Sequence, residues 1–125
     1  MKQITAVIQP SRLYEVLSAL RDFAGAPGVV VTESRAFPRG HADPQSASHG
    51  IDAIDSFLVL RLETVVPDWL VTSIVERIRL AAHTGSPGDG KILVSPVDDS
   101  IAIRTGIHDG GTNGPRGGDQ VQSND

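Results

Sequence analysis

The 125-residue sequence predicts an α+β fold of the ferredoxin-like βαββαβ type: an antiparallel four-stranded sheet with two helices on one face. Three observations lead there. Two stretches carry apolar residues at helical spacing, Leu13, Val16, Leu17 and Leu20 in the first, Leu70, Ile74, Ile78 and Ala81 in the second. Strand-like runs flank each of them. A segment poor in large apolar residues, 38–56, separates the second run from the third.

The elements follow in order. From Lys2 to Gln9 the chain alternates, with Ile4, Ala6 and Ile8 on one side and Thr5, Val7 and Gln9 on the other. Both sides hold apolar residues, so this strand is expected inside the sheet. Pro10 ends it, and Ser11 is expected to cap the first helix. Gly25, Pro27 and Gly28 stop that helix, and the β-branched run from Val29 to Thr32 opens a second strand reaching toward Phe37. Residues 38–56 form a loop of a length that usually serves function. A third strand spans 57–66, and Pro67 with Asp68 marks the second helix start. The helical period breaks at 84–90, Ile92 to Val94 is a short strand, and Ile101 with Ile103 reads as another. The uncovered sheet face is apolar enough to call for a partner, so a homo-oligomer is expected.

Composition narrows the function. With no cysteine, neither a disulfide nor a thiolate metal site can form. No apolar run approaches a membrane span, and no export signal is visible, so a cytoplasmic protein is expected. The net charge of −4 speaks against nucleic acid as a partner. Half of that charge lies in 107–125, a glycine-rich segment with little to bury that is expected to be a disordered tail following a domain at 1–106.

The other glycine cluster is chemically suggestive. Thr84-Gly85-Ser86-Pro87-Gly88-Asp89-Gly90-Lys91 joins a helix to a strand. Glycines allow close backbone approach, successive N–H groups can form an anion nest, and Lys91 adds a cation at its edge. A tight turn at Gly88-Asp89-Gly90 accounts for the same residues without a ligand. It is neither a Walker A loop nor a dinucleotide fingerprint.

Three separated motifs resemble those of the PII signal-transduction proteins. They are the opening Met1-Lys2-Gln3-Ile4-Thr5-Ala6-Val7-Ile8-Gln9-Pro10, the stretch Ala81-Ala82-His83-Thr84-Gly85 with Gly88-Asp89-Gly90-Lys91-Ile92, and Ile101-Ala102-Ile103-Arg104-Thr105-Gly106. They are similar to that family's first strand, B-loop and C-terminal loop, and residues 38–56 to its T-loop. The resemblance implies a homotrimer that binds ATP or ADP, and AMP as a further candidate, between subunits, with Mg²⁺ as a companion to the phosphates. It implies that Gly88, Asp89, Gly90 and Lys91 cradle the phosphates, joined by Arg39 and by Arg104 of a neighbouring subunit. Glu63 would meet the ribose, Thr84 and Gly85 would line the cleft, and the adenine would lie near Val30 and Val65. The protein would be a regulator rather than an enzyme, acting on a transporter or metabolic enzyme through the T-loop.

The departures are informative. Arg39 is followed by Gly40 instead of glutamine, Val59 stands near the place of a lysine, Pro38 replaces a glycine, and Ala102 replaces one of two arginines. The only tyrosine is Tyr14, and Asp52 stands near the usual modification point. Neither 2-oxoglutarate sensing nor uridylylation is therefore expected. His41, Asp43 and His49 are weak metal candidates, with solvated loop polarity the simpler reading. His83 could contact a phosphate, with a cap at a helix C-terminus the favoured reading, and Trp69 reads as core or interface packing. The alternative is a trimeric metal-binding or structural module without nucleotide sensing. No general base is apparent for a slow ATPase.

Overall fold

The computed structural model describes residues 1–22, 27–37 and 56–109. The expectations placed on Pro38, Arg39, Gly40, His41, Asp43, His49, Asp52 and the tail beyond 109 lie outside those residues. Strand β1 (Lys2–Ile8) passes through a 3₁₀ turn (Pro10–Arg12) into helix α1 (Leu13–Arg21), followed by β2 (Val30–Ala36) and β3 (Phe57–Val66). A second 3₁₀ turn (Asp68–Leu70) leads into α2 (Val71–Ala82), and β4 (Lys91–Pro96) completes the sheet. The strand order is β2-β3-β1-β4, with every pair antiparallel. This is the predicted ferredoxin-like arrangement, with β1 inside the sheet as its two-sided apolar pattern required.

The period-2 geometry of the strands divides the sheet cleanly. Ile4, Ala6 and Ile8 of β1 and Leu60, Leu62 and Val66 of β3 join the helices in one core. From above they meet Val16 and Leu20 of α1 and Ile74, Ile78 and Ala82 of α2. Thr64 shares this buried face because its hydroxyl donates to the Gly28 carbonyl at 2.7 Å, which pins the chain entering β2.

Two arginines tie the helices to each other. Arg12 donates through Nε and Nη2 to the Ala81 carbonyl, at 3.0 and 2.7 Å. Arg77 donates through Nη1 to the Ala19 carbonyl at 2.9 Å. Each places a cation at the C-terminal end of the other helix, where unpaired carbonyls and the dipole favour it. Replacing Arg12 with alanine is expected to cost about 2 kcal/mol, because it removes two charge-assisted bonds. Urea unfolding of Arg12→Ala against wild type, at equal protein concentration, measures this.

Two local expectations are corrected. Ser11 does not cap α1: the capping position of the preceding turn is Gln9, without a side-chain bond, and Pro10 takes the first helical place. Proline's fixed φ starts the turn one residue earlier than the serine signal implied. Ile101 and Ile103 do not form a strand. Ile101 makes one bridge to His108, and Ile103 sits fully exposed in a turn. Trp69 is 53% exposed in the single chain, which leaves interface packing of the two readings given for it.

Candidate functional site

The segment from 84 to 90 is organised around one carboxylate. Asp89 Oδ2 accepts the backbone N–H groups of Thr84 and Gly85, at 2.8 and 2.9 Å, while Oδ1 accepts the Thr84 hydroxyl. Gln9 Nε2 reaches the same Oδ1 at 3.3 Å from the end of β1. The His83 ring, at the C-terminal cap of α2, stands 3.6 Å from Oδ2. The Thr84 hydroxyl, followed by its backbone N–H, holds the Asp89 carboxyl down to about 2. Serine bonds tighten the rest of the loop, with Gly88 N–H donating to Ser86 Oγ at 3.1 Å and Asp89 N–H to the Ser86 carbonyl at 3.1 Å.

Gly90 closes the loop against β1. Its φ is +102°, and a Cβ placed there would lie 1.8 Å from the Val7 carbonyl oxygen. Only glycine permits both the dihedral and the approach. Lys91 follows at once, pairing with Val7 in the sheet register. A cleft of about 290 Å³ opens beside the loop, lined by Ile8, Val75 and Ile78 and bordered by Arg79, His83 and Lys91.

The remaining described residues of the predicted site lie on the open sheet face or beyond it. The register sets Val30, Glu63, Thr5 and Leu93 in one row across the four strands, and Thr32, Arg61, Val7 and Lys91 in the next. Glu63 is half-buried. It accepts a bond from Gln3 Nε2 at 3.0 Å and lies 3.6 Å from Arg61 Nη2. Val65 stands two residues along β3 on the same face, paired with Gln3. Val30, Phe57, Val65 and Leu93 are exposed there, which leaves apolar area beside the polar groups of this face.

Arg104 occupies an exposed turn in a separate closed loop. That loop is fastened by the Ile101 bridge to His108, by the Asp109 N–H on the Ser100 carbonyl at 2.7 Å, and by Asp99 Oδ2 against His108 Nδ1 at 2.7 Å. The single chain thus brings together Thr84, Gly85, Gly88, Asp89, Gly90 and Lys91, and sets Glu63 and Val65 on the sheet face that Lys91 shares. Arg104 is not among the residues lining the cleft. Among the described residues no group of three or more histidine, aspartate or glutamate side chains could hold a metal ion, and no helix is long and apolar enough to cross a membrane.

Sequence reasoning missed Gln9, Gln3 and Arg12. Strand parity placed Gln9 on the open side of β1, and that was its only signal.

The family profile described as Nitrogen regulatory protein P-II matches residues 1–107. A nitrogen regulatory protein P-II of Azospirillum brasilense is 42% identical over 108 residues, covering 85% of this chain and 94% of its own length. One from Rhodospirillum rubrum is 38% identical over 123 residues, covering 97% of this chain and 100% of its own length. Among solved structures, Arabidopsis thaliana PII bound to citrate superposes with a TM-score of 0.69 at 33% identity, covering 86% of both chains.

Proposed function

The chain belongs to the P-II nitrogen regulatory protein family, and from that premise we propose that it is a regulator that binds an adenine nucleotide between the subunits of a homotrimer. The observation that carries this reading is the ordered loop at 84–90 with Lys91 beside it, on a sheet face that also presents Glu63 and Val65. The residue types suit the ligand. Lys91, with Arg39 and a neighbour's Arg104, supplies cations for phosphate, and Glu63 supplies an acceptor for ribose hydroxyls. Val30 and Val65 offer apolar area to a base. Gly88 and Gly90 let the phosphates come close to the backbone.

Trimer formation would bury the open face, where Val30 and Leu93 are more than half exposed in the single chain. A nucleotide phosphate pairing with Arg39 would bias residues 38–56, through which a transporter or metabolic enzyme would be engaged. Binding of 2-oxoglutarate is not part of the proposal. Val59, near the place of a lysine in related sequences, is a buried aliphatic side chain and offers no cation to a dicarboxylate.

Calorimetry with ATP, ADP and AMP tests the reading. Wild type should release or absorb heat with at least one of them. Lys91→Ala should weaken that binding about 10- to 100-fold, the worth of one charge-assisted phosphate contact. Adding 2-oxoglutarate with Mg²⁺-ATP should leave the affinity unchanged. Wild-type protein that shows no heat with any of the three contradicts the proposal and favours the module without nucleotide sensing.

A further inference from the structure

We propose that Asp89 and Gln9 are positioning residues: the Asp89 carboxylate fills the N–H nest of its own loop, so the loop is formed before any ligand arrives. The place of this loop in nucleotide binding rests on the reading above; its internal construction does not. Successive N–H groups in a glycine-rich turn attract an anion. Here the anion is supplied from within, since Thr84 N–H, Gly85 N–H and the Thr84 hydroxyl all converge on Asp89. Gln9 anchors that carboxylate to the end of β1, and Gly88 lies beside the Gln9 amide, its Cβ position 3.6 Å from Nε2.

Two physical consequences follow. Fixing a flexible backbone costs conformational entropy. The loop's own bonds cover part of that cost during folding, so less is subtracted from binding. The second concerns charge. A carboxylate facing phosphate would repel it, whereas Asp89 is turned into three donors and lies beside His83. The low value of the Asp89 carboxyl fits a group whose ionised form is held by hydrogen bonds. Thr84 and Gly85 N–H are then spent on Asp89, and the attraction for phosphate passes to Lys91 and the arginines.

The test compares nucleotide-free wild type with Asp89→Asn, Asp89→Ala and Gln9→Ala by amide NMR, and then by ADP calorimetry. An N–H bound to a carboxylate gives a downfield amide proton. The Thr84 and Gly85 amides should show that position in wild type, lose it in both Asp89 variants, and exchange with solvent about tenfold faster in Asp89→Ala. Asp89→Asn keeps an oxygen acceptor, so it should recover part of the exchange protection without the downfield position. Gln9→Ala should shift the same amides by less. ADP affinity should fall about tenfold in Asp89→Ala, with the amides of β3 and α2 unchanged. The proposal is overturned if the Thr84 and Gly85 amides are already unprotected in wild type, or keep their shifts in Asp89→Asn. If wild type gives those amide signatures but no heat with ATP, ADP or AMP, the nucleotide reading fails and the positioning of the loop stands.

Discussion

Replacing Gly90 with alanine is expected to destabilise the protein by about 3–5 kcal/mol, through backbone overlap and dihedral strain together. The new Cβ would fall 1.8 Å from the Val7 carbonyl oxygen and 2.9 Å from its carbon. Both are main-chain atoms of a central strand, so no side chain can swing aside. The φ of +102° adds strain of its own. Relief requires β4 to pull away from β1 at the pairing of Lys91 with Val7, which is where the loop is anchored. Gly85 provides the control. Its φ is +92°, yet nothing lies within 4 Å of the Cβ position, so Gly85→Ala should cost only about 1–2 kcal/mol of strain. Denaturant unfolding of both variants, at matched protein concentration, measures the difference. Equal stabilities for Gly90→Ala and Gly85→Ala would show that the close approach to β1 is not what holds this loop.

Ile74→Ala is the second large effect, expected at about 2–5 kcal/mol. Ile74 is fully buried at the centre of the α2 stripe that continues through Ile78 and Ala82. It shares one core with Ile4, Ala6 and Ile8 beneath it. Ala6 is already small and fully buried, so the strand has no side chain that could fill the space left behind. Ile74→Val removes one methylene and should cost about 0.5–1.5 kcal/mol. Urea unfolding of the pair gives the ratio. A cost for Ile74→Ala as small as that of Ile74→Val would mean that the α2–sheet packing relaxes freely. Neither change touches the loop, so ADP binding by the folded fraction should be unaltered.

These two residues also mark what the sequence disclosed and what it did not. Ile74 belongs to a helical period readable from the chain, and the strands flanking α1 and α2 follow from alternation and the Pro and Gly breaks. The shared face of Glu63 and Val65 follows from their separation by two along one strand. The glycine cluster announced a special loop, yet spacing alone could not say where the Asp89 carboxylate points. Its partners lie four and five residues back and, for Gln9, 80 residues away. Ile101 and Ile103 looked like a strand because two apolar residues at i and i+2 are all a short strand shows. What decides their fate is the closure of 99 onto 108, a contact nine residues long with no local signature. The first-helix cap was misplaced for a similar reason: serine and proline both mark helix starts, and proline's locked φ won.

Native mass spectrometry with and without ATP, ADP or AMP tests the central claim, a nucleotide held between subunits, most directly. The expected species is near three times 13.2 kDa and takes up as many as three nucleotide molecules, with Lys91→Ala remaining trimeric while losing them. A stable monomer, or a trimer that gains no mass with ATP, ADP or AMP, would contradict it.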